Sequence, residues 1–188
     1  MDIEDRRVNQ REVSRETRSI EMLRRVGKAL LYHQTLEELA VIAIHEIASA
    51  AELAAVLLWA RTSTQERLTL RAHVGVSRQG ASAIRSLEPS ERLSCAAEVA
   101  AKQRQTVWVD DVNENTATRE LEAKFCYLSP KEACVLPLIV GDHVIGVLEL
   151  VSRDGDSHFQ HSKELFEVIA EHLSLALNNC AVFESVEQ

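Results

Sequence analysis

The sequence has few of the residues that interrupt a chain. Three prolines and six glycines among 188 residues exclude collagen-like, Pro-rich and Gly-rich architectures. Neither proline nor glycine occurs before Gly27, so the start of the chain meets no helix breaker. There is no Cys-x-x-Cys pair, and the seven histidines are scattered, so no metal site is expected. No apolar run approaches membrane-spanning length. The opening stretch is charged from Asp2 onward, unlike a secretory signal. The four cysteines, Cys95, Cys126, Cys134 and Cys180, stand far apart and are expected as reduced thiols in a cytoplasm. Clustered positive charge is missing too. Net charge is −8, and Arg6, Arg7, Arg11, Arg15 and Arg18 alternate with Asp2, Glu4, Asp5, Glu12 and Glu16. That mixture reads as a solvated helix face, not as a phosphate-binding surface, so no nucleic-acid partner is expected. A Gly-rich phosphate loop, a serine nucleophile elbow and a zinc-protease helix are all absent.

What is present suits one folded domain. Hydrophobic residues make up 46% and charged residues 27%, enough for a core inside a polar surface. Residues 1 to about 33 read as a helix whose apolar stripe, Ile20, Leu23, Val26, Leu30 and Leu31, appears only in its second half. Residues 1–19 are therefore assigned as a charged extension and 20–188 as the domain. Glu21 has helical salt-bridge spacing to Arg24 and Arg25. Thr35 followed by Glu38 is a capping box, opening a helix to about residue 52 with Leu36, Leu39, Ala43 and Ile47 inward.

Strands follow at 53–60 and 67–75, the second with Leu68, Leu70, Ala72 and Val74 alternating with Thr69, Arg71 and His73. A helix is expected at 91–103, a short strand at 106–111 and another short helix at 116–127. Two apolar runs, 133–140 and 144–152, flank Gly141-Asp142 as a hairpin. A long helix from about Gln160 to Val186 ends the chain. This order predicts an α+β fold with a central antiparallel sheet of five to six strands.

The last helix carries two apolar seams. One runs through Phe166, Ile169, Leu173, Ala176, Cys180 and Phe183. The other runs through Leu165, Val168, Leu175, Val182 and Val186, broken by His172 and Asn179. One seam covers the sheet. The other makes this either a fully buried core helix or a dimerisation helix. Dimerisation is the reading taken, because the first helix also has an apolar stripe. The interface is assigned to Ile20, Leu23 and Leu30 with Ile169, Leu173, Ala176, Cys180 and Phe183.

The hairpin and last helix resemble the GAF domain family. The carrying residues are Pro137-Leu138-Ile139-Val140, Gly141-Asp142, Val144 through Leu150, Phe159, and Ile169 through Asn179. Leu31-Tyr32 and Thr35 through Leu39 resemble the start of the family's second helix. The likeness covers about residues 20–185. It implies terminal helices on one face of the sheet and, on the other, a small-molecule pocket roofed by the middle helices and loops. It implies a domain that senses ligands or mediates dimers in signalling proteins, and the reading taken is a non-catalytic sensing and dimerisation domain of a bacterial signalling protein, with a dimerisation module carrying a vestigial pocket as an alternative. With the helix seams it is expected as a homodimer, and since no effector is visible within the sequence, it is expected to act on an effector domain or a partner protein. Fold alone does not choose the ligand, and no cofactor is indicated.

Sharper readings within the family find less support. Cyclic-nucleotide-binding members carry Asn-Lys, then Phe, then Asp-Glu. Here Ser152-Arg153 and Lys163-Glu164 replace the two pairs, and Phe159 is kept. Bilin-binding members have Cys followed by His, whereas Cys126 precedes Tyr127 and Cys134 precedes Val135. A haem held by a histidine such as His73 or His143 has no distinguishing pattern. Free methionine sulfoxide reductases are the main rival from another class, with Cys95, Cys126 and Cys134 as pocket thiols. Their Gly-Val-Cys-Gly context is replaced here by Leu-Ser-Cys-Ala around Cys95.

The pocket is assigned to Trp59, Cys95, Trp108, Phe125, Cys126, Tyr127 and Glu149. Aromatics are only 4% of the chain, so the two tryptophans are the natural aromatic walls, with Tyr127 as a polar tip. Glu149 shares a strand face with Val147 and Val151. A carboxylate there needs a partner, either a ligand group or, as the reading preferred, a structural one such as an arginine.

Overall fold

The structure is a computed structural model. It describes residues 17, 19–31, 35–62, 65–78, 81–82, 96–109, 132–152, 159 and 162–186, with side chains at 62, 65–67 and 183–186 left out. Helix α1 covers 19–30 and α2 covers Leu36–Ala50. Strands β1 (Ala55–Thr62) and β2 (Gln65–Val74) precede helix α3 (Ala96–Gln103) and strand β3 (Val107–Val109). Strands β4 (Glu132–Val140) and β5 (His143–Ser152) lead into helix α4 (Lys163–Val186). The sheet has five strands in the order β2-β1-β5-β4-β3, and each neighbouring pair is antiparallel. This is the α+β architecture expected. The short helix expected at 116–127 lies outside the described residues.

Local chemistry explains the boundaries. The Thr35 side chain accepts from the Glu38 backbone N–H at 3.3 Å, so the capping box starts α2. Gly141 has φ of 56° and turns the β4–β5 hairpin, a conformation that costs glycine little. Gly146 is required for another reason. A Cβ there would lie 2.4 Å from the Trp59 carbonyl oxygen, so β1 and β5 approach this closely only because position 146 has no side chain.

The two faces of the sheet bury different sets. Val56, Leu58, Cys134, Leu136, Leu138, Leu148 and Leu150 form one core with Met22 and Val26 of α1, the inner face of α2, and α4. Glu21 pairs with Arg24 at 2.6 Å, but Arg25 reaches across to Glu46 of α2 at 2.9 Å. The opposite face buries Ala55, Leu57, Trp59, Leu68, Leu70, Val135, Val147 and Val151 beneath Ala96, Ala97, Ala100 and Ala101 of α3. Four alanines let α3 lie close to the strands.

Register shifts interrupt the β1–β2 pairing at Leu58/Trp59 and Arg61/Thr62 and the β4–β5 pairing at Leu138/Ile139, and two of them leave a single extra residue. Leu58 pairs with Ala72 and Trp59 with Leu70, so Arg71 is an extra residue in β2. Leu138 pairs with Gly146 and Ile139 with Val144, so Ile145 is an extra residue in β5. The expected single-face run through Leu68, Leu70, Ala72 and Val74 is therefore corrected. Leu68 and Leu70 face α3, whereas Ala72 and Val74 pack on the helix-side core, because a bulge re-aims the side chains after it.

On α4 the seam through Phe166, Ile169, Leu173 and Cys180 is buried in this chain's own core. Assigning Ile169, Leu173 and Cys180 to a contact with a second chain is corrected accordingly: the sheet has already taken those side chains out of water. Leu23, Leu30 and Ala176 pack partly buried against the same core. Ile20 is exposed, and the side chain of Phe183 lies outside the described residues.

Candidate functional site

The α3 face of the sheet gathers the polar groups that set it apart from a plain core. Glu149 of β5 stands opposite Leu57 of β1 and Val135 of β4, and His73 of β2 stands opposite Leu57 on the other side. These four residues form one cross-strand row, with a carboxyl and an imidazole two strands apart. In the next row Trp59 pairs with Val147 of β5 and Leu70 of β2. The chain places Glu149 here because β5 alternates regularly from Val147 to Val151 once past the bulge.

Glu149 and Trp59 are both buried. The Trp59 indole Nε1–H donates to Glu149 Oε2 at 3.2 Å. Glu149 thus has a structural partner, and that partner is an indole, not the arginine anticipated. Burial pushes the Glu149 carboxyl above its ordinary value, and the Trp59 hydrogen bond opposes that shift. A carboxyl with raised proton affinity offers a donor as well as acceptors. Chemically, this spot suits a neutral hydrogen-bonding group or a cation more than an anion.

Trp59 and Glu149 are therefore together on one face. Trp108 is not with them. It packs on the helix-side core, edge-on to Phe159 with ring centroids 5.6 Å apart, and the Lys163 Nζ lies 5.8 Å from its ring centroid. Its place in the pocket is corrected: β3 turns Val107 toward the α3 face and sends Trp108 to the other. Phe159 is also buried and stacks against Phe166 with centroids 5.4 Å apart, which accounts for it as a core residue.

Cys134, a pocket thiol only in the reductase reading, is not on that face either. It lies fully buried on the helix face, away from Trp59 and Glu149. Burial and, secondarily, the charge of Glu167 push its thiol well above its ordinary value, against a smaller effect of Lys163. That makes it a poor nucleophile. Cys95, Phe125, Cys126 and Tyr127 lie outside the described residues. The reading of the sequence missed the placement of His73 beside this row, although its alternation with Leu70 and Ala72 was visible. It also missed the bulge at Arg71, for which the sequence has no glycine signal.

Among the described residues, no group of three or more potential ligand side chains is placed to hold a metal ion. No described helix is long and apolar enough to cross a membrane.

Solved structures share the fold at low identity. The GAF domain of a phosphoenolpyruvate-protein phosphotransferase from Coxiella burnetii is 13% identical, with a TM-score of 0.74, over 90% of this chain and 98% of that one. The corresponding domain from Acinetobacter is 15% identical, with a TM-score of 0.67, over 87% and 94%. The free methionine-R-sulfoxide reductase of Neisseria meningitidis, solved with its substrate, is 15% identical, with a TM-score of 0.65, over 87% and 90%. No curated protein sequence matches. The family profile described as GAF domain matches residues 33–178, most of the chain. The chain belongs to the GAF domain family.

Proposed function

We propose that this chain is a non-catalytic sensor domain of a bacterial signalling protein, taking a small molecule on the sheet face that carries Trp59 and Glu149. The observation that carries this reading is the buried carboxyl–indole pair, a polar contact on a largely apolar face roofed by alanines. A few polar groups in an apolar setting are the usual composition of a small-molecule site. The protein works in the cytoplasm as a homodimer through α1 and α4, and its output goes to an effector domain or a partner protein. Similar domains found within phosphotransferases support a regulatory role.

A reductase is the rival reading, favoured by the likeness to the Neisseria enzyme. The position of Cys134 on the helix face speaks against a thiol set that includes it. The test is a thermal-shift screen of metabolites, nucleotides and anions, since a ligand of the folded state raises the melting temperature. At least one compound should raise it in the wild type and lose its effect in Glu149→Gln. Turnover of free methionine sulfoxide with a thiol reductant would overturn the sensor reading.

A further inference from the structure

A cleft of about 370 Å³ lies at the open edge of β4, away from Trp59 and Glu149. Its origin is topological. β3 is the last strand of the sheet on that side and pairs only with Ala133, Cys134 and Val135. Beyond them β4 runs on to Val140 with no further strand beside that edge among the described residues. Arg104, with φ of 56°, turns the chain from α3 into β3. The segment 104–106 bounds one side of the gap and α4 the other. The floor is apolar: Leu136 and Ala170 are buried, and Pro137 and Ile139 are half-buried. Pro137 has no N–H to present at the edge.

The α4 wall offers acceptors. Glu167, Glu171 and Ser174 line the cleft, and steps of four and three put them on one helix face. Ser174 is 1% exposed, and its hydroxyl donates to the Ala170 carbonyl at 2.6 Å. That spends its one proton, so the oxygen can now only accept. Among the described residues no donor reaches it. Glu167 is turned inward far enough for its charge to act on the Cys134 thiol of β4.

The cations beside these carboxylates are engaged elsewhere. Lys163, one turn before Glu167, holds its Nζ 5.8 Å from the Trp108 ring centroid. Arg104 lines the same cleft, but its guanidinium reaches Asp142 at the hairpin tip, 3.7 Å away. Neither Glu167 nor Glu171 is in an ion pair among the described residues. Two unpaired carboxylates and a buried acceptor beside an apolar floor match a ligand with a donor-only cationic head and a hydrocarbon tail. A primary ammonium has three N–H donors and no acceptor, one donor for each of the three side chains.

We propose that this cleft binds a primary aliphatic amine as its ammonium ion, with the head between Glu167, Glu171 and Ser174 and the tail over Leu136, Ile139 and Ala170 along the open edge of β4. The site is separate from the sensor face and does not depend on it.

The probe is hexylamine, a cation at pH 7, titrated into the full 188-residue chain by calorimetry and followed by methyl NMR. Saturable one-site binding is expected, with a Kd of roughly 1 mM. Methyl shifts should centre on Leu136, Ile139 and Ala170. Methylamine has the head without the tail and hexanol the tail without the charge, and each should bind at least about tenfold more weakly. So should trimethylhexylammonium, which keeps the charge but has no N–H. Ser174→Ala should narrow that preference, which a purely structural serine would leave unchanged. Glu171→Lys alters an exposed side chain and should keep its melting temperature while abolishing binding. Non-saturable uptake, equal binding of trimethylhexylammonium, or unchanged affinity in folded Glu171→Lys would each overturn the proposal. Shifts centred on the alanines of α3, with binding lost in Glu149→Gln, would also overturn it and would place the amine in the sensor site. Binding that persists in Glu149→Gln supports it, whatever the sensor face takes.

Discussion

The Trp59 indole N–H and the Glu149 carboxyl meet at 3.2 Å inside the sheet, joining β1 to β5 between residues 90 apart in sequence. Burial pushes the Glu149 carboxyl up from its ordinary value. The folded state therefore holds this proton more tightly than the unfolded chain does. Its contribution is fully present below the ordinary carboxylate range and is lost as pH rises through the raised value. Glu149→Gln keeps an acceptor for Trp59 and has no charge to bury. At pH 8 the variant should be more stable than the wild type by about 1–3 kcal/mol, the usual scale of an uncompensated buried polar group. The gap should close at low pH. Urea unfolding at pH 5 and pH 8 checks both statements, and a pH-independent difference would show that Glu149 does not titrate between them.

Phe166 is among the largest fully buried side chains and sits where α4 meets the sheet, beside Phe159. Phe166→Ala should cost about 3–5 kcal/mol, from lost burial and the cavity left behind. Val41 is exposed on α2, and Val41→Ala should stay within about 0.5 kcal/mol of the wild type. Equilibrium denaturation of the two variants side by side measures the contrast.

Gly146→Ala should be more damaging than its size suggests. The new methyl would lie 2.4 Å from the Trp59 carbonyl oxygen and 3.4 Å from Leu138 Cδ1. A backbone oxygen cannot rotate away as a side chain can, so β1 and β5 must separate locally. A loss above about 2 kcal/mol is expected, at the upper end for overpacking. Hydrogen exchange should rise first at the β1–β5 pairs around Trp59 and Val147.

The sequence made the hairpin legible because Gly141-Asp142 stands between two apolar runs, and α2 legible because Thr35 and Glu38 cap it. Local chemistry decides those elements. Which face a side chain takes was less legible, for identifiable reasons. The extra residue at Arg71 shifts Ala72 across the sheet with no glycine to mark it. Trp108 sits on a three-residue strand too short to show alternation. On α4 two apolar seams had the same spacing, and only the rotation of the helix against the sheet decides between them. That rotation is set by distant partners such as Leu136 and Leu148, so no local pattern contains it.

That rotation relocates the proposed dimer contact. Val168, Leu175 and Val182 lie seven residues apart on α4 and are 37%, 54% and 54% exposed, while Ile20 and Leu31 near α1 are 67% and 76% exposed. Seven-residue spacing keeps the three on one stripe of a helix. Water-exposed valines and leucines in a row contribute to stability only if another surface covers them. His172 and Asn179, exposed on the same helix, would limit the registers available. The homodimer should therefore depend on Leu175 and Val182, and not on Ile169 or Leu173. Leu175→Glu with Val182→Glu should convert a dimer at micromolar concentration into a folded monomer in sedimentation velocity, with unchanged far-UV circular dichroism. Ile169→Glu places a charge in the chain's own core and should unfold the domain instead. A monomeric wild type at that concentration would refute the dimer. A dimer that survives both Glu substitutions would refute this seam.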